Sequence, residues 1–288
     1  MGRPARGGRW GRSLIAPTPP SCDRELVTEA RPIPSRHQHT DERTGGSLVR
    51  VTLLLLIVGA LLVGGCTVPR ASLGPEESHS VPVTDVDALR VSGGTTVEVT
   101  LGEEPSLELS GPRRSLRRVT VEVEGDRLSI RPGRTFWWGD AGHIRATLTL
   151  PDLAAIDASG AAEVDVAGDL EGHGVDVRAS GASDVRAGVT ASTTQVRAGG
   201  ASSIALVGES GDLEARASGS STLDLGAFET ERAAVEASGS SDVAVQTLEE
   251  LDIEASGASS VEYAGDPGVR QNLSGASEAR PTASRSDR

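Results

Sequence analysis

The side chains that recur at a fixed spacing are the first from which chemistry could come. Glu163, Asp184, Ser203, Thr222, Asp242, Ser260 and Glu278 each stand one place before the apolar residue that closes a repeated phrase. Carboxylates stacked unit upon unit could coordinate calcium, which takes several hard oxygen ligands. Here acids alternate irregularly with hydroxyls, and the Gly-Gly-x-Gly-x-Asp pattern of calcium-binding repeats is missing, so a solvated polar face without metal is expected. Of the five histidines, His37, His39 and His79 fall outside the patterned region, and His143 and His173 have no Cys or His partner at ligand spacing, so no zinc site is expected. The serines sit in repeats and not in a Gly-x-Ser-x-Gly elbow, which speaks against a serine hydrolase. Every basic residue other than His is Arg, so a phosphate loop ending in Lys cannot form. No cofactor is expected.

The remaining nucleophile is a thiol. Cys66 follows an apolar run of 13 residues, Val51 to Val63, with Arg50 before it. A helix that spans a bilayer needs roughly 20 residues, so the run is short for a permanent span and has the length of a signal-peptide core. Val63-Gly64-Gly65-Cys66 resembles the lipobox of bacterial lipoproteins, in which small residues before a cysteine fit the lipoprotein signal peptidase. The resemblance implies that Val63, Gly64 and Gly65 are the recognised residues and that Cys66 is diacylated and becomes the mature N-terminus. Val63 stands where Leu is usual. The alternative is an ordinary membrane anchor that happens to contain a cysteine. Loss of the chain before Cys66 would also remove Cys22, leaving no intramolecular disulfide.

The elements around this signal divide the chain. Residues 1–46 are rich in Arg, Pro, Gly and Ser without apolar periodicity, and are expected to be a disordered extension upstream of a true start near Val49. Residues 47–66 form the signal peptide, and residues 67–84, with Pro69, Gly74-Pro75 and Pro82, have linker composition. Residues 280–288 are expected to be a disordered tail. The net charge of -13 is uneven: residues 1–65 carry nine Arg against five acids, leaving 19 Arg and 36 acids after them. A strongly acidic exported portion excludes a nucleic-acid partner and suits solubility at a crowded surface.

With aromatic residues at 2% and 35 glycines, a wide core of Phe, Trp and Leu is excluded, and Ala and Val must do the burying in a narrow, layered architecture. In residues 85–153 apolar residues alternate, as in Val97-Glu-Val-Thr-Leu101, Leu107-Glu-Leu109 and Val119-Thr-Val-Glu-Val123, which predicts half-buried strands. Glu124-Gly-Asp126 predicts a hairpin turn into Leu128-Ser-Ile130. Phe136, Trp137 and Trp138 either close the end of a β stack or form an exposed partner patch.

From residue 154 to 279 one phrase recurs, as in Ala179-Ser-Gly-Ala-Ser-Asp-Val185 and Ala255-Ser-Gly-Ala-Ser-Ser-Val261. Its glycines, Gly160, Gly181, Gly200, Gly219, Gly239, Gly257 and Gly275, are spaced 21, 19, 19, 20, 18 and 18 residues apart. Leucine-rich repeats are excluded because each unit lacks the required Leu and Asn positions. The reading is all-β: a parallel β-helix, or β-solenoid, of about seven short coils with period 18–21 and a capping region of N-terminal β-strands. Each unit should hold an alternating strand, a Ser-Gly corner and a second short strand, with Gly supplying positive φ at the corner. Seven coils at about 4.8 Å give a rod of roughly 34 Å, and Tyr263-Ala-Gly-Asp-Pro-Gly-Val269 is a candidate for closing its far end.

Leu89-Arg-Val-Ser-Gly-Gly-Thr-Thr-Val-Glu-Val-Thr-Leu-Gly102, Leu148-Thr-Leu-Pro-Asp-Leu153, the serial Ser-Gly-Ala-Ser units and Tyr263-Ala-Gly-Asp-Pro267 together resemble the head GIN domain family of auto-transporter adhesins, over about residues 85 to 279. The resemblance implies an exported bacterial β-helical protein. The functional expectation is a non-catalytic, lipid-anchored adhesion, scaffold or envelope-interaction module at the cell envelope. Its partners would be the membrane, through the lipid, and an envelope protein or glycan. The rival expectation is a carbohydrate-active β-helix enzyme or glycan-binding protein, which the shortage of aromatic sugar platforms disfavours.

Overall fold

A computed structural model describes residues 75–133 and 143–282. The architecture is nearly all β, with stacked parallel coils forming a β-solenoid of about seven turns, as the repeat predicts. The stack is built from β9 (Glu163–Gly181), β10 (Asp184–Gly200), β11 (Ser203–Ala217), β12 (Thr222–Ala237) and β13 (Asp242–Ala255), each parallel to the next. It ends on β14 (Ser260–Ala264), β15 (Gly268–Leu273) and β16 (Glu278–Pro281).

The strands are longer than the two short segments expected per unit. In β10, alternation of buried and exposed residues slips twice: Ala187, Gly188 and Val189 are buried in a row, and Ser192 and Thr193 are exposed in a row. A pleated chain can keep its core side inward past a bend only by such a slip. The extended backbone therefore turns two corners and closes the third at Ser-Gly, so that each coil has three sides. The side between the slips has no shared phrase among the repeats, which is why the sequence reads as two strands.

Inward positions form columns along the axis. Val164, Val185, Ile204, Leu223, Val243 and Val261 align on one side, and Val177, Val196, Ala215, Val235 and Ile253 on another, all essentially inaccessible. The alanine opening each phrase forms a third column, with Ala179, Ala198, Ala217, Ala237 and Ala255 at most 4% exposed. Phe228 is fully buried on the unshared side.

The Ser-Gly corners stack in register, Gly181 upon Gly160 and Gly200 upon Gly181, with φ near +80°. A Cβ on Gly200 would lie 2.7 Å from the Gly181 carbonyl oxygen, a distance that real Cβ atoms do not reach. Two residues after five of the corner glycines stands a buried serine: Ser183, Ser202, Ser221, Ser241 and Ser259. Ser202 Oγ accepts the Gly199 N–H at 3.1 Å and lies 2.9 Å from the Gly199 carbonyl and 3.2 Å from that of Ala179 in the preceding coil. The hydroxyl thus satisfies backbone groups that the corner removes from the β ladder.

Residues 85–153 enter the solenoid as well as covering its end. β2 (Ala88–Gly93) and β3 (Thr95–Leu101) make a coil whose Ser92-Gly93 corner lies in register with Ser159-Gly160, an eighth corner that the spacing of the other seven did not reveal. β6 (Arg127–Pro132) and β7 (Ile144–Leu150) stack in parallel on the outer side of β2 and β3, and β8 (Ala155–Gly160) lies on the inner side. β1 (Glu76–Val81), β4 (Ser106–Pro112) and β5 (Val119–Glu124) then add antiparallel strands over this end, with a single helical turn, α1 (Arg113–Leu116), between β4 and β5. The predicted hairpin is present: Glu124 pairs with Arg127 around Gly125 at φ +65°.

Candidate functional site

Val63, Gly64, Gly65 and Cys66, and the aromatic residues Phe136, Trp137 and Trp138, lie outside the described residues. The acid and hydroxyl positions of the repeat do fall in one column: Glu163, Asp184, Ser203, Thr222, Asp242, Ser260 and Glu278 are register partners in succession. They are half-buried to exposed. Arg186 reaches both Glu163 and Asp165 at 3.3 Å, and the hydrogen bond and charge of Asp165, with the Glu163 hydrogen bond, push its pKa up, so it stays cationic. Among the described residues, no three His, Cys, Asp or Glu side chains converge on a point that could hold a metal ion.

A concavity lies elsewhere, on the outer surface of the side that carries the Ala-Ser-Gly phrase. It has a volume of about 690 Å³ and runs from Asp157 in β8 to Asn272 in β15. Each strand here presents three outward rows two residues apart, as pleating requires, and two of them line the groove. The middle row reads Asp157, Arg178, Arg197, Arg216, Glu236, Glu254, Asn272 along the rod. One flanking row, Asp176, Gln195 and Glu214, lies outside the groove, and the other, Ser180, Gly199 and Ser218, lines it. Three arginines in consecutive coils stand out in a chain whose net charge is -13.

Their partners differ. Arg178 pairs with Asp176 on its own strand. Arg216 makes a two-pronged contact with Glu236, at 2.9 and 3.2 Å, and also meets Glu214; its hydrogen bond with Glu236 is the chief cause of a raised pKa. Arg197, between them, donates to neutral Gln195 at 3.0 Å and lies only 3.5 and 3.9 Å from Asp176 and Glu214. Its buried Nη1 has no hydrogen-bond partner, and neither has Asp176 Oδ1. Charge-assisted bonds close to about 2.7–2.9 Å, so the central arginine is held by two longer ion pairs where each neighbour has a close one. Sequence reasoning missed this row because each Arg reads as one polar residue in an alternating strand; only the register places them side by side.

Stacked three-sided coils with a covered N-terminal end match a known family. The family model described as "Putative auto-transporter adhesin, head GIN domain" matches residues 85–267. The chain belongs to the head GIN domain family. Solved structures share this fold at low identity. One from Bacteroides fragilis, described as a "putative adhesin", is 18% identical with a TM-score of 0.65, the match covering 73% of this chain and 97% of that one. A "putative adhesin" from Parabacteroides merdae is 14% identical at a TM-score of 0.59, and a "putative lipid binding protein" from Parabacteroides distasonis 16% identical at 0.56, each match covering 73% of this chain and 97% of the other. No curated protein matches the chain. Among the described residues of this head GIN domain, no helix is long and apolar enough to cross a membrane.

Proposed function

We propose that this head GIN protein is a non-catalytic adhesion or interaction module of the bacterial cell envelope, held there by a lipid on Cys66. The observation that carries the reading is the register of the coils, which turns single outward residues into rows running the length of the rod. Such rows offer a repeating partner a repeating contact, and a rigid stack loses little freedom on binding. Family membership agrees with a role in adhesion. The lipobox-like Val63-Gly64-Gly65-Cys66 supports the anchor, and the stretch between Cys66 and β1, shorter than the expected linker because Glu76–Val81 pairs with β4, would tether the rod to the membrane.

Metabolic labelling with a fatty-acid analogue in a bacterial host tests the anchor. The wild-type chain should take up label and fractionate with the envelope, and Cys66→Ala should lose both properties. Label retained in Cys66→Ala would overturn the anchoring, and specific turnover of an envelope glycan by the purified protein would overturn the non-catalytic reading.

A further inference from the structure

We infer that the covered N-terminal end of the rod docks on a bilayer surface of anionic phospholipid, with headgroup phosphates seated on Arg114, Arg117 and Arg118. This rests on the reading of Cys66 as a lipid anchor, and it states which face of the anchored rod meets the membrane.

β4 extends the sheet beyond β7 on one side of the outermost coil, and β5 extends it beyond β6 on another. The connection between them, α1, therefore runs across the end of the rod, with Leu116 buried in the common core. At about 100° per residue in a helical turn, Arg113, Arg114, Arg117 and Arg118 fan over an arc of roughly 140° turned away from Leu116, and all four are exposed. The backbone beneath them is fixed. Arg117 N–H bonds the Arg113 carbonyl at 3.3 Å, Arg118 N–H bonds that of Ser115 at 3.0 Å, and the Arg118 carbonyl accepts Gly133 N–H at 2.7 Å.

These arginines differ from those of the coils. Every described arginine from Arg145 to Arg280 forms an ion pair with a carboxylate. At the covered end Arg113 meets Glu77 at 3.2 Å and Arg131 meets Glu122, but among the described residues Arg114, Arg117 and Arg118 pair with none. The chain carries no acid between Leu109 and Val121; Glu76, opposite Pro112, is the remaining carboxylate beside the turn. The end face thus has a surplus of positive charge on fully hydrated guanidinium groups, which are suited to phosphate. The fan spreads them over a surface instead of converging them on one point, as an array of headgroups requires and a single small anion does not.

Two further observations name the membrane as the occupant. The tether arrives at this same turn: the Pro75 carbonyl accepts Arg113 N–H at 3.2 Å, and only residues 67–74 separate Pro75 from Cys66. Nine links reach at most about 32 Å when fully extended, so α1 is the element that an anchored chain keeps nearest the lipid. The rest of the rod would be repelled by an anionic surface, since from Glu163 to Pro281 seven Arg stand against 21 acids. Attraction at the end and repulsion along the coils together stand the rod upright.

The test is arginine footprinting of the full-length protein reconstituted in vesicles, either of phosphatidylcholine alone or of phosphatidylcholine mixed with phosphatidylglycerol. An impermeant glyoxal reagent labels accessible guanidinium groups, and mass spectrometry gives the rate at each. Rates are taken relative to Arg270 and Arg280 at the far end, whose side chains are 71% and 60% exposed. Phosphatidylglycerol should slow Arg114, Arg117 and Arg118 about fivefold or more relative to these two, and high salt should restore them. In Arg114→Gln/Arg117→Gln, which removes two exposed and unpaired charges, Arg118 should lose that protection. The inference is overturned if the relative rates are equal in the two vesicles, if protection survives high salt or the double substitution, or if soluble glycerol phosphate protects as well as the anionic bilayer. Protection without fatty-acid labelling leaves the docking face and removes the anchor; labelling without protection leaves the anchor and removes the docking face.

Discussion

At a Ser-Gly corner two demands fall on one atom. The backbone must adopt a left-handed φ, which costs a residue bearing a Cβ roughly 1–2 kcal/mol, and the same Cβ would press on the carbonyl of the coil beneath. At Gly219 the added atom would lie 2.6 Å from Gly200 O at φ +81°. Gly219→Ala should therefore destabilise the rod by at least about 2 kcal/mol, read as a fall in the denaturant midpoint; a change within a few tenths would refute the steric account. The glycines were legible in the sequence because conformation and axial contact both forbid alternatives, leaving an even period. The buried serines were legible only as small side chains. Their hydrogen bonds run to carbonyls one coil away, and no spacing along the chain carries that information. Arg197 was invisible for the same reason.

Strands in a solenoid meet solvent edge-on at the two ends, and the two ends are treated differently. β1, β4 and β5 cover the first. At the other, β15 and β16 are the last strands, and the inward columns become polar or small there: the column of Val235 and Ile253 ends on exposed Gln271, and that of Val243 and Val261 on Ala279. Pro281 in β16 removes a backbone donor from the edge. An edge so blunted resists pairing with a second rod. Gln271→Ile should restore the apolar column and produce concentration-dependent association in sedimentation velocity; a variant that stays monomeric would show that the edge is protected by other means. Tyr263, expected to help close this end, is half-buried in β14 and pairs with Val245 and Pro281. Of the elements, the alternating strands of residues 85–153 were readable from pattern, whereas the third side of each coil was not, since its residues change from repeat to repeat.

For the molecule as a whole, contacts run between neighbouring coils and hardly beyond, so stability is nearest-neighbour in character. The end that lacks antiparallel strands should open first. Hydrogen exchange followed by mass spectrometry should find β15 and β16 exchanging fastest and β9 to β12 slowest; uniform protection along the rod would mean a single cooperative unit. The composition correctly pointed to layers of Ala and Val in place of an aromatic core.

The order of the first coils in space departs from their order along the chain. β2 lies between β6 and β8, and β3 between β7 and β9, so the first coil to be synthesised is flanked by two that come later. A polypeptide emerging N-terminus first would hold Ala88–Leu101 with no neighbour until Arg127–Leu150 and Ala155–Ala167 had followed. Initiation must therefore wait for distant chain, which is slow, while every later coil needs only the one just laid down. Nucleation at the covered N-terminal end followed by stepwise templating gives the rod a direction of assembly, written into the connectivity of residues 88–167.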